Sequence, residues 1–292
     1  MTWDAAPPPP PRALGPAGWM RVATRGTALA VVAFGGLAIL ALVRLIEAPV
    51  HGLARPWTPA IAQMVCRAAL RILGLRLMRR GTAMEGPGAV VANHTSWLDI
   101  YVLNAWQRVY FVAKEEVADW PGIGLMARAT GTVFIRRHRS EARHQQAVFE
   151  ARLAAGHQLL FFPEGTSTDG RRVLPFKTTL FQAFVTPALR DTMRVQPVTV
   201  NYHPPEGERP DFYGWWGDQG FADHLMRMLG ARRHGWVEAV YHAPLRVADH
   251  ADRKALARAA EAAVGGAFTG GTTSAPVVAA PTEAPAVSEA AR

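Results

Sequence analysis

The stretch GAVVANHTSWLDIYVLNAW, residues 88–106, decides the fold expected for this chain. Its first six residues form an apolar run of strand length. Thr95 and Ser96 are typical of a helix N-cap, and the apolar pattern resumes behind them as far as Trp106. The stretch therefore predicts a strand, a polar turn and a helix, which is one unit of an α/β fold.

Further apolar runs of strand length alternate with helical segments along the chain. Strands are predicted at residues 109–113, 132–135, 158–162, 195–200 and 239–247. Helices are predicted at residues 96–106, 139–155, 176–189 and 251–264. This alternation is typical of a mixed, mostly parallel β-sheet flanked by helices.

The N-terminal part of the chain holds the longest apolar run. Residues 26–43 carry no charge, and their length approaches the ~20 residues that cross a bilayer. A cleaved signal peptide and a buried core helix are alternatives, but the late start and the lack of an A-x-A-like site favour an anchor. We therefore expect a membrane anchor helix within residues 19–56. Arginines flank the run on both sides, so its orientation stays open.

The remaining domain boundaries follow from composition. Five prolines at 7–11 predict a disordered lead over residues 1–18. A globular domain is expected over 57–264, beginning with an amphipathic helix at 57–78 that either packs on the core or lies at an interface. The Gly, Thr, Ala and Pro composition of residues 265–292 predicts a disordered tail.

Charge and cysteine content limit the classes of partner. The net charge of +9 favours acidic partners such as nucleic acid or an anionic lipid surface. The basic residues are scattered through the chain, which argues against a nucleic-acid module. The single cysteine, Cys66, excludes an internal disulfide and a thiolate metal site, and we expect it to be a buried thiol.

His94 and Asp99 are the first candidates for chemistry. On one regular helix they would lie about 140° apart around the axis and would not meet. If His94 instead ends the strand and Asp99 lies one turn into the helix, the carboxylate can fix the imidazole tautomer and leave the other nitrogen as a general base. Ser96 and Asp99 also match a capping pattern in which Asp99 only binds backbone amides. Both interpretations remain open from these residues alone.

A second polar segment follows the predicted strand at 158–162. The residues FPEGTS, 162–167, place Glu164 between Pro163 and Gly165. Ligands of open α/β sheets bind at the carboxyl ends of the strands, and glycine allows a close approach of backbone amides. A plain turn would explain the proline and the glycine, but it would not explain the glutamate.

A third segment is basic. Arg136 and Arg137 lie in the cluster RRHR at 136–139, directly after the predicted strand at 132–135. Guanidinium groups hold phosphate in bidentate fashion, although such clusters are often solvated surface. Lys177 supplies a further positive charge that an anionic substrate would need.

Four segments, taken in order, resemble the sequence blocks of the lysophospholipid acyltransferase family. They are NHTSWLD at 93–99, GTVFIRR at 131–137, FPEGTS at 162–167 and VQPVTV at 195–200. The resemblance covers roughly residues 60–260. It implies the transfer of an acyl chain to the free hydroxyl of a lysolipid, without a covalent enzyme intermediate.

The resemblance also implies a role for each candidate residue. His94 would deprotonate the acceptor hydroxyl, and Asp99 would orient His94. The donor would be acyl-CoA or acyl carrier protein, and no metal or other cofactor is implied. The acceptor would be 1-acyl-glycerol 3-phosphate, giving phosphatidate, at an inner membrane with the catalytic domain facing the cytoplasm. The residues implied to bind the acceptor are Arg136, Arg137, Glu164, Gly165, Thr166 and Lys177.

Some residues depart from the usual family pattern. Ser167 stands where the third block commonly has an arginine. The segments STDG at 167–170 and FYGWWGD at 212–218 are similar to a bacterial subgroup that includes lyso-ornithine lipid acyltransferases, whose acceptor lacks phosphate. Lyso-ornithine lipid is therefore the alternative acceptor. A more remote alternative is a thioesterase with Ser167 as nucleophile, although GTSTD lacks the final glycine of a nucleophile elbow.

Overall fold

The computed structural model describes residues 7–8, 10, 13–135 and 142–270. Its centre is an eight-stranded sheet. The strands are β1 Arg76–Arg80, β2 Gly88–Ala92, β3 Tyr110–Lys114, β4 Val133–Ile135, β5 Gln158–Phe161, β6 Arg194–His203, β7 Trp236–Tyr241 and β8 Leu245–Arg246. The helices are α1 Pro16–His51, α2 Thr58–Leu73, α3 Leu98–Trp106, α4 Ile123–Thr130, α5 Ala142–Ala154, α6 Phe221–Gly230 and α7 Arg253–Gly266.

The order of strands in the sheet brings several carboxyl ends to one edge. The order is β1-β7-β6-β2-β5-β3-β4, and β8 pairs with β6. Strands β6, β2, β5, β3 and β4 run parallel, whereas β7 runs antiparallel to β6. The predicted mixed, mostly parallel sheet is thus confirmed, and the loops that leave β2 and β5 emerge side by side.

Both faces of the sheet are covered by helices. Strand β2 is buried along its whole length. Val90 and Ala92 belong to a cluster with residues of α2, α3 and α6, and that cluster includes Cys66, which is buried as expected. Ala89 and Val91 point to the opposite cluster, which contains residues of α5 and α7. Alternate residues of one strand therefore serve two cores, which explains its unbroken apolar run.

Among the described residues, α1 is the one helix that is long and apolar enough to cross a membrane. It begins at Pro16, so the last residues of the predicted irregular lead are helical, and Pro16 suits the first turn because no amide is needed there. The helix also packs on the domain. Its Gly36 meets Val65 of α2 so closely that a β-carbon would lie 2.2 Å from a methyl group.

The helix predicted at 57–78 is wrong in its second part. Helix α2 ends at Leu73, because Gly74 adopts a left-handed conformation with φ of 78°. The chain then reverses and forms the edge strand β1, which pairs with β7. The sequence RLMRR of β1 had no clear alternation, and its pairing with a strand about 160 residues later could not be predicted locally.

Two further predicted elements were also too long. The helix predicted at 176–189 is only a 3₁₀ segment over Thr178–Phe184, since two β-branched threonines and the following Pro187 disfavour a regular helix. The strand predicted at 239–247 is divided into β7 and β8 at Pro244, which has no amide for the ladder. Helices α4 and α6 were not predicted.

Candidate active site

The turn after β2 brings His94 to Asp99. Asp99 lies in the first turn of α3 and is fully buried. Nδ1 of His94 is 2.8 Å from Oδ2 of Asp99, and the His94 side chain remains 18% exposed. Because Nδ1 is engaged by a carboxylate, Nε2 is the nitrogen left to accept a proton.

Asp99 also binds the turn that precedes the helix. Its Oδ2 accepts hydrogen bonds from the backbone amides of Thr95 at 2.8 Å and Ser96 at 3.0 Å. Its Oδ1 accepts a hydrogen bond of 2.7 Å from the hydroxyl of Tyr202. The two interpretations left open by the sequence are therefore compatible, since one carboxylate binds the turn and the imidazole together.

The ring of His94 is held from one side by an aromatic contact. Phe162 stacks on it with ring centroids 4.0 Å apart and an angle of 9° between the planes. Phe162 directly follows β5, the neighbour of β2 in the sheet. The orientation of the imidazole is thus fixed by two adjacent strands as well as by Asp99.

Glu164 lies in the loop after β5, close to Phe162, and its side chain faces backbone amides. Its Oε1 accepts from the amide of His94 at 2.6 Å, and its Oε2 accepts from the amide of Leu174 at 2.7 Å. The side chain is 1% exposed. The family resemblance implied that Glu164 binds the acceptor, and that role stays a prediction. The contacts described here connect the loop after β5 to the His94 turn and to Leu174.

Burial controls the protonation of Glu164. It raises the pKa of this carboxyl to about 8, and the charges of Asp99 and Glu261 act in the same direction. The two backbone amides oppose the shift. The Glu164 carboxyl is therefore largely protonated at neutral pH.

Gly165 and Lys177 lie together at this turn. Gly165 has a positive φ of 73°, and a β-carbon there would lie 2.6 Å from Nζ of Lys177. The amide of Lys177 donates to the carbonyl of Pro163 at 2.9 Å, which fixes the lysine beside the turn. Thr166 is partly buried, and its hydroxyl donates to the carbonyl of Ser167 at 3.3 Å.

The structure thus brings His94, Asp99, Glu164, Gly165 and Lys177 to one edge of the sheet. Arg136 and Arg137, the other predicted acceptor-binding residues, lie outside the residues that the structure describes.

Two segments noted for their subgroup resemblance also contact the His94 loop. The amide of Thr168 donates to the carbonyl of His94 at 3.0 Å, and the amide of Trp215 donates to the carbonyl of Thr95 at 2.9 Å. Gly214 packs against the backbone of Asp169, where a β-carbon would lie 2.8 Å from the carbonyl carbon. Residues of STDG and FYGWWGD therefore form part of the wall around the site.

Tyr202 is the residue of this cluster that the sequence reasoning missed. Strand β6 pairs with β2 as far as Val198 and then continues to His203 alongside β7. The extra length carries Tyr202 beside the His94 turn. A usable signal was present, because Val198, Val200 and Tyr202 share one face of the strand and the phenol hydroxyl needs a partner there.

Known acyltransferases resemble this chain along much of its length. An acyltransferase family model matches residues 70–201. The lyso-ornithine lipid O-acyltransferase of Rhodobacter capsulatus is 60% identical over 262 residues, which cover 90% of this chain and 95% of that protein. The chain belongs to the lysophospholipid acyltransferase family. It is therefore an acyltransferase.

Two other members of the lysophospholipid acyltransferase family are more distant. The 1-acyl-sn-glycerol-3-phosphate acyltransferase of Neisseria gonorrhoeae is 34% identical over 57% of this chain and 65% of its own length. The crystal structure of the 1-acyl-sn-glycerophosphate acyltransferase of Thermotoga maritima has a TM-score of 0.62 and 18% identity, covering 86% of this chain and 95% of that one. The second likeness concerns the fold alone.

Proposed function

We propose that this acyltransferase moves an acyl chain from a thioester to the free hydroxyl of lyso-ornithine lipid, with His94 as the general base. The pairing of His94 with a buried carboxylate at the carboxyl edge of the sheet supports the chemistry. The 60% identity to a lyso-ornithine lipid O-acyltransferase along nearly the whole chain supports the acceptor.

In the proposed reaction, Nε2 of His94 takes the hydroxyl proton while the acceptor oxygen attacks the thioester carbonyl carbon. The carbon–sulfur bond then breaks, and the same proton passes from His94 to the departing sulfur. An ester and a free thiol result, so the enzyme ends as it began. Acyl-CoA and acyl carrier protein both supply such a thioester.

The residues around His94 support an acceptor whose head carries an anionic group. Lys177 lies over Gly165, where its ammonium can face a carboxylate as well as a phosphate. An ornithine head group carries a carboxylate and an amine. The subgroup segments contact the turn through the amides of Thr168 and Trp215, and this proximity supports a role for them in acceptor choice.

The apolar surface of α1 supports a membrane location. Phe34, Leu42 and Leu45 are 56%, 65% and 73% exposed. Near its start Arg25 donates to the carbonyl of Ala231 at 2.7 Å, and near its end Glu47 accepts from the amide of Thr58 at 3.0 Å. Because α1 is attached to the domain at both ends, we propose that it lies in the leaflet on which the active site opens. That leaflet would be the cytoplasmic face of the inner membrane, where thioester donors occur.

The test is an acylation assay with purified protein in vesicles, a labelled acyl thioester and separate lysolipids. We expect labelled ornithine lipid from lyso-ornithine lipid. Labelled free fatty acid formed equally fast without a lysolipid would instead indicate a thioesterase, and no labelled lipid from any acceptor would contradict the proposal.

A second acceptor, 1-acyl-glycerol 3-phosphate, is favoured by the 34% identical relative from Neisseria gonorrhoeae. The same assay separates the two acceptors. A kcat/KM for 1-acyl-glycerol 3-phosphate above that for lyso-ornithine lipid would assign phosphatidate synthesis to this chain.

A further inference from the structure

A cavity of about 290 Å³ lies far from His94. It is lined by residues that precede β2, β3 and β5, including Gly86, Arg108 and His157, and by the turn between α1 and α2. His94 follows the opposite end of β2. At about 3.3 Å per strand residue, the cavity and the imidazole are roughly 20 Å apart on opposite edges of the sheet.

The lining of this cavity is cationic. Arg55 and Arg108 both line it, and none of its described lining residues is acidic. Within the part of the chain that the structure describes, neither arginine is within ion-pair distance of a carboxylate. The nearby carboxylate of Glu47 is bound to Arg44 and Thr58. Positive charge in a concave site whose nearby acid is already bound to other groups favours an anionic ligand.

The imidazole of His157 forms part of the cavity wall. Its side chain stacks on Tyr110, with ring centroids 3.9 Å apart, and the residue is 3% exposed. Nδ1 faces Nη1 of Arg152 at 3.4 Å, and arginine can only donate, so the proton of the neutral ring belongs on Nε2. Nε2 is buried, and the backbone carbonyls of Leu53 and Ala54 lie beside the ring as acceptors for its proton.

The imidazole remains neutral at physiological pH. Burial lowers the pKa of His157 to about 4, and the charge of Arg152 adds to this effect. The ring is therefore a neutral part of the wall between Arg55 and Arg152, and it adds no negative charge to the cavity.

Arg55 is held in an unusual backbone conformation. Among the described residues, Arg55 is the one non-glycine residue with a positive φ, and its φ is 47°. One nitrogen, Nη1, donates to the carbonyl of Ala129 at 3.1 Å, while Nε is buried without a partner. A non-glycine residue held in this backbone conformation is typical of a constrained, functional position.

We propose that this cavity binds a phosphate group through Arg55 and Arg108. The exposed Leu53 and Trp57 flank Arg55 at the end of α1, so a membrane lipid could place its phosphate in the cavity and its chains along that helix end. Free phosphate offers the same chemistry from solution. The site would act as a second lipid or anion contact, separate from the acyl-transfer centre.

The test uses the full-length protein in a maltoside detergent, which carries no phosphate. The Tm is followed against inorganic phosphate at constant ionic strength, and a saturable rise is expected for the natural sequence. Arg108→Gln should bind phosphate roughly tenfold more weakly, as expected for one lost charged hydrogen bond. Arg258→Gln, which changes an exposed arginine of α7, should bind it unchanged.

Vesicle flotation identifies the source of the phosphate. If phosphatidylglycerol increases flotation over digalactosyldiacylglycerol, a lipid without phosphate, and Arg108→Gln removes that increase, the ligand is a lipid head group. If the increase survives in Arg108→Gln while the effect on the Tm is lost, the ligand is soluble phosphate. A Tm that does not respond to phosphate, or that responds equally in Arg108→Gln, would overturn the proposal. None of these readouts depends on acyl transfer.

Discussion

The hydroxyl of Tyr202 donates to Oδ1 of Asp99 at 2.7 Å, and both side chains are buried. The other oxygen of the same carboxylate binds His94. Tyr202 therefore acts on the proposed base through Asp99, as a positioning residue that does not itself face the substrate.

Replacing Tyr202 by Phe should lower kcat about tenfold with little change in KM. The reason is that Asp99 loses one hydrogen bond and holds the imidazole less firmly, at a cost of about 1.5 kcal/mol. Steady-state kinetics at saturating donor measure both constants. Tyr241→Phe is the control, since the Tyr241 hydroxyl is also buried but has no hydrogen-bond partner among the described residues. Equal kinetics for the two variants would reduce Tyr202 to a packing role.

Replacing Asp99 by Asn should lower both activity and stability. An amide can still accept from the turn, but the charge that supports a protonated His94 is lost, so we expect kcat to fall by at least ~10². Ser96→Ala is the control, because its hydroxyl accepts only from the amide of Leu98 at 3.3 Å among the described contacts. That variant should lose stability and keep its kcat. If Asp99→Asn lost stability alone, capping would be its whole role.

The stability of the protein should depend on pH through Glu164. Its pKa is raised to about 8 in the folded state, above the unfolded value, because burial disfavours the charged carboxylate. The unfolded chain therefore releases this proton first, and the free energy of unfolding should fall between about pH 4.5 and pH 8 and then level off.

Glu164→Gln should flatten this slope, because it has no proton to release. Urea unfolding in detergent from pH 5 to pH 9 gives the measurement, and Glu206→Gln, at an exposed position, is the control. A slope that is unchanged in Glu164→Gln would show that another group causes it.

An acidic residue in the middle of α1 should weaken membrane binding. Placing an aspartate at the centre of a membrane helix costs about 3 kcal/mol, so Phe34→Asp should reduce partitioning into vesicles roughly 100-fold. Ala251→Asp, at an exposed position of the globular domain, should bind vesicles as the natural sequence does. Equal flotation of the two variants would contradict a membrane role for α1.

Local patterns predicted the unit around His94 correctly. The apolar run of β2, the N-cap residues and the apolar face of α3 are encoded within residues 88–106, so the strand, turn and helix could be predicted together. The predicted meeting of His94 and Asp99 follows from that arrangement.

Distant contacts explain what the sequence did not reveal. Glu164 resembles a ligand-binding residue, but its oxygens bind amides at positions 94 and 174, and backbone amides leave no trace in sequence. Tyr202 reaches Asp99 only because β6 extends beyond the last residue that pairs with β2. Such contacts depend on strand order and register, which no short window contains.

The central claim is that Nε2 of His94 removes the proton from the acceptor hydroxyl. The most direct measurement is the kcat of His94→Ala with lyso-ornithine lipid and an acyl thioester, together with its Tm. We expect turnover to fall by ~10²–10⁴-fold, the usual effect of losing a general base, while the folded state persists. Turnover equal to that of the natural sequence would contradict the account.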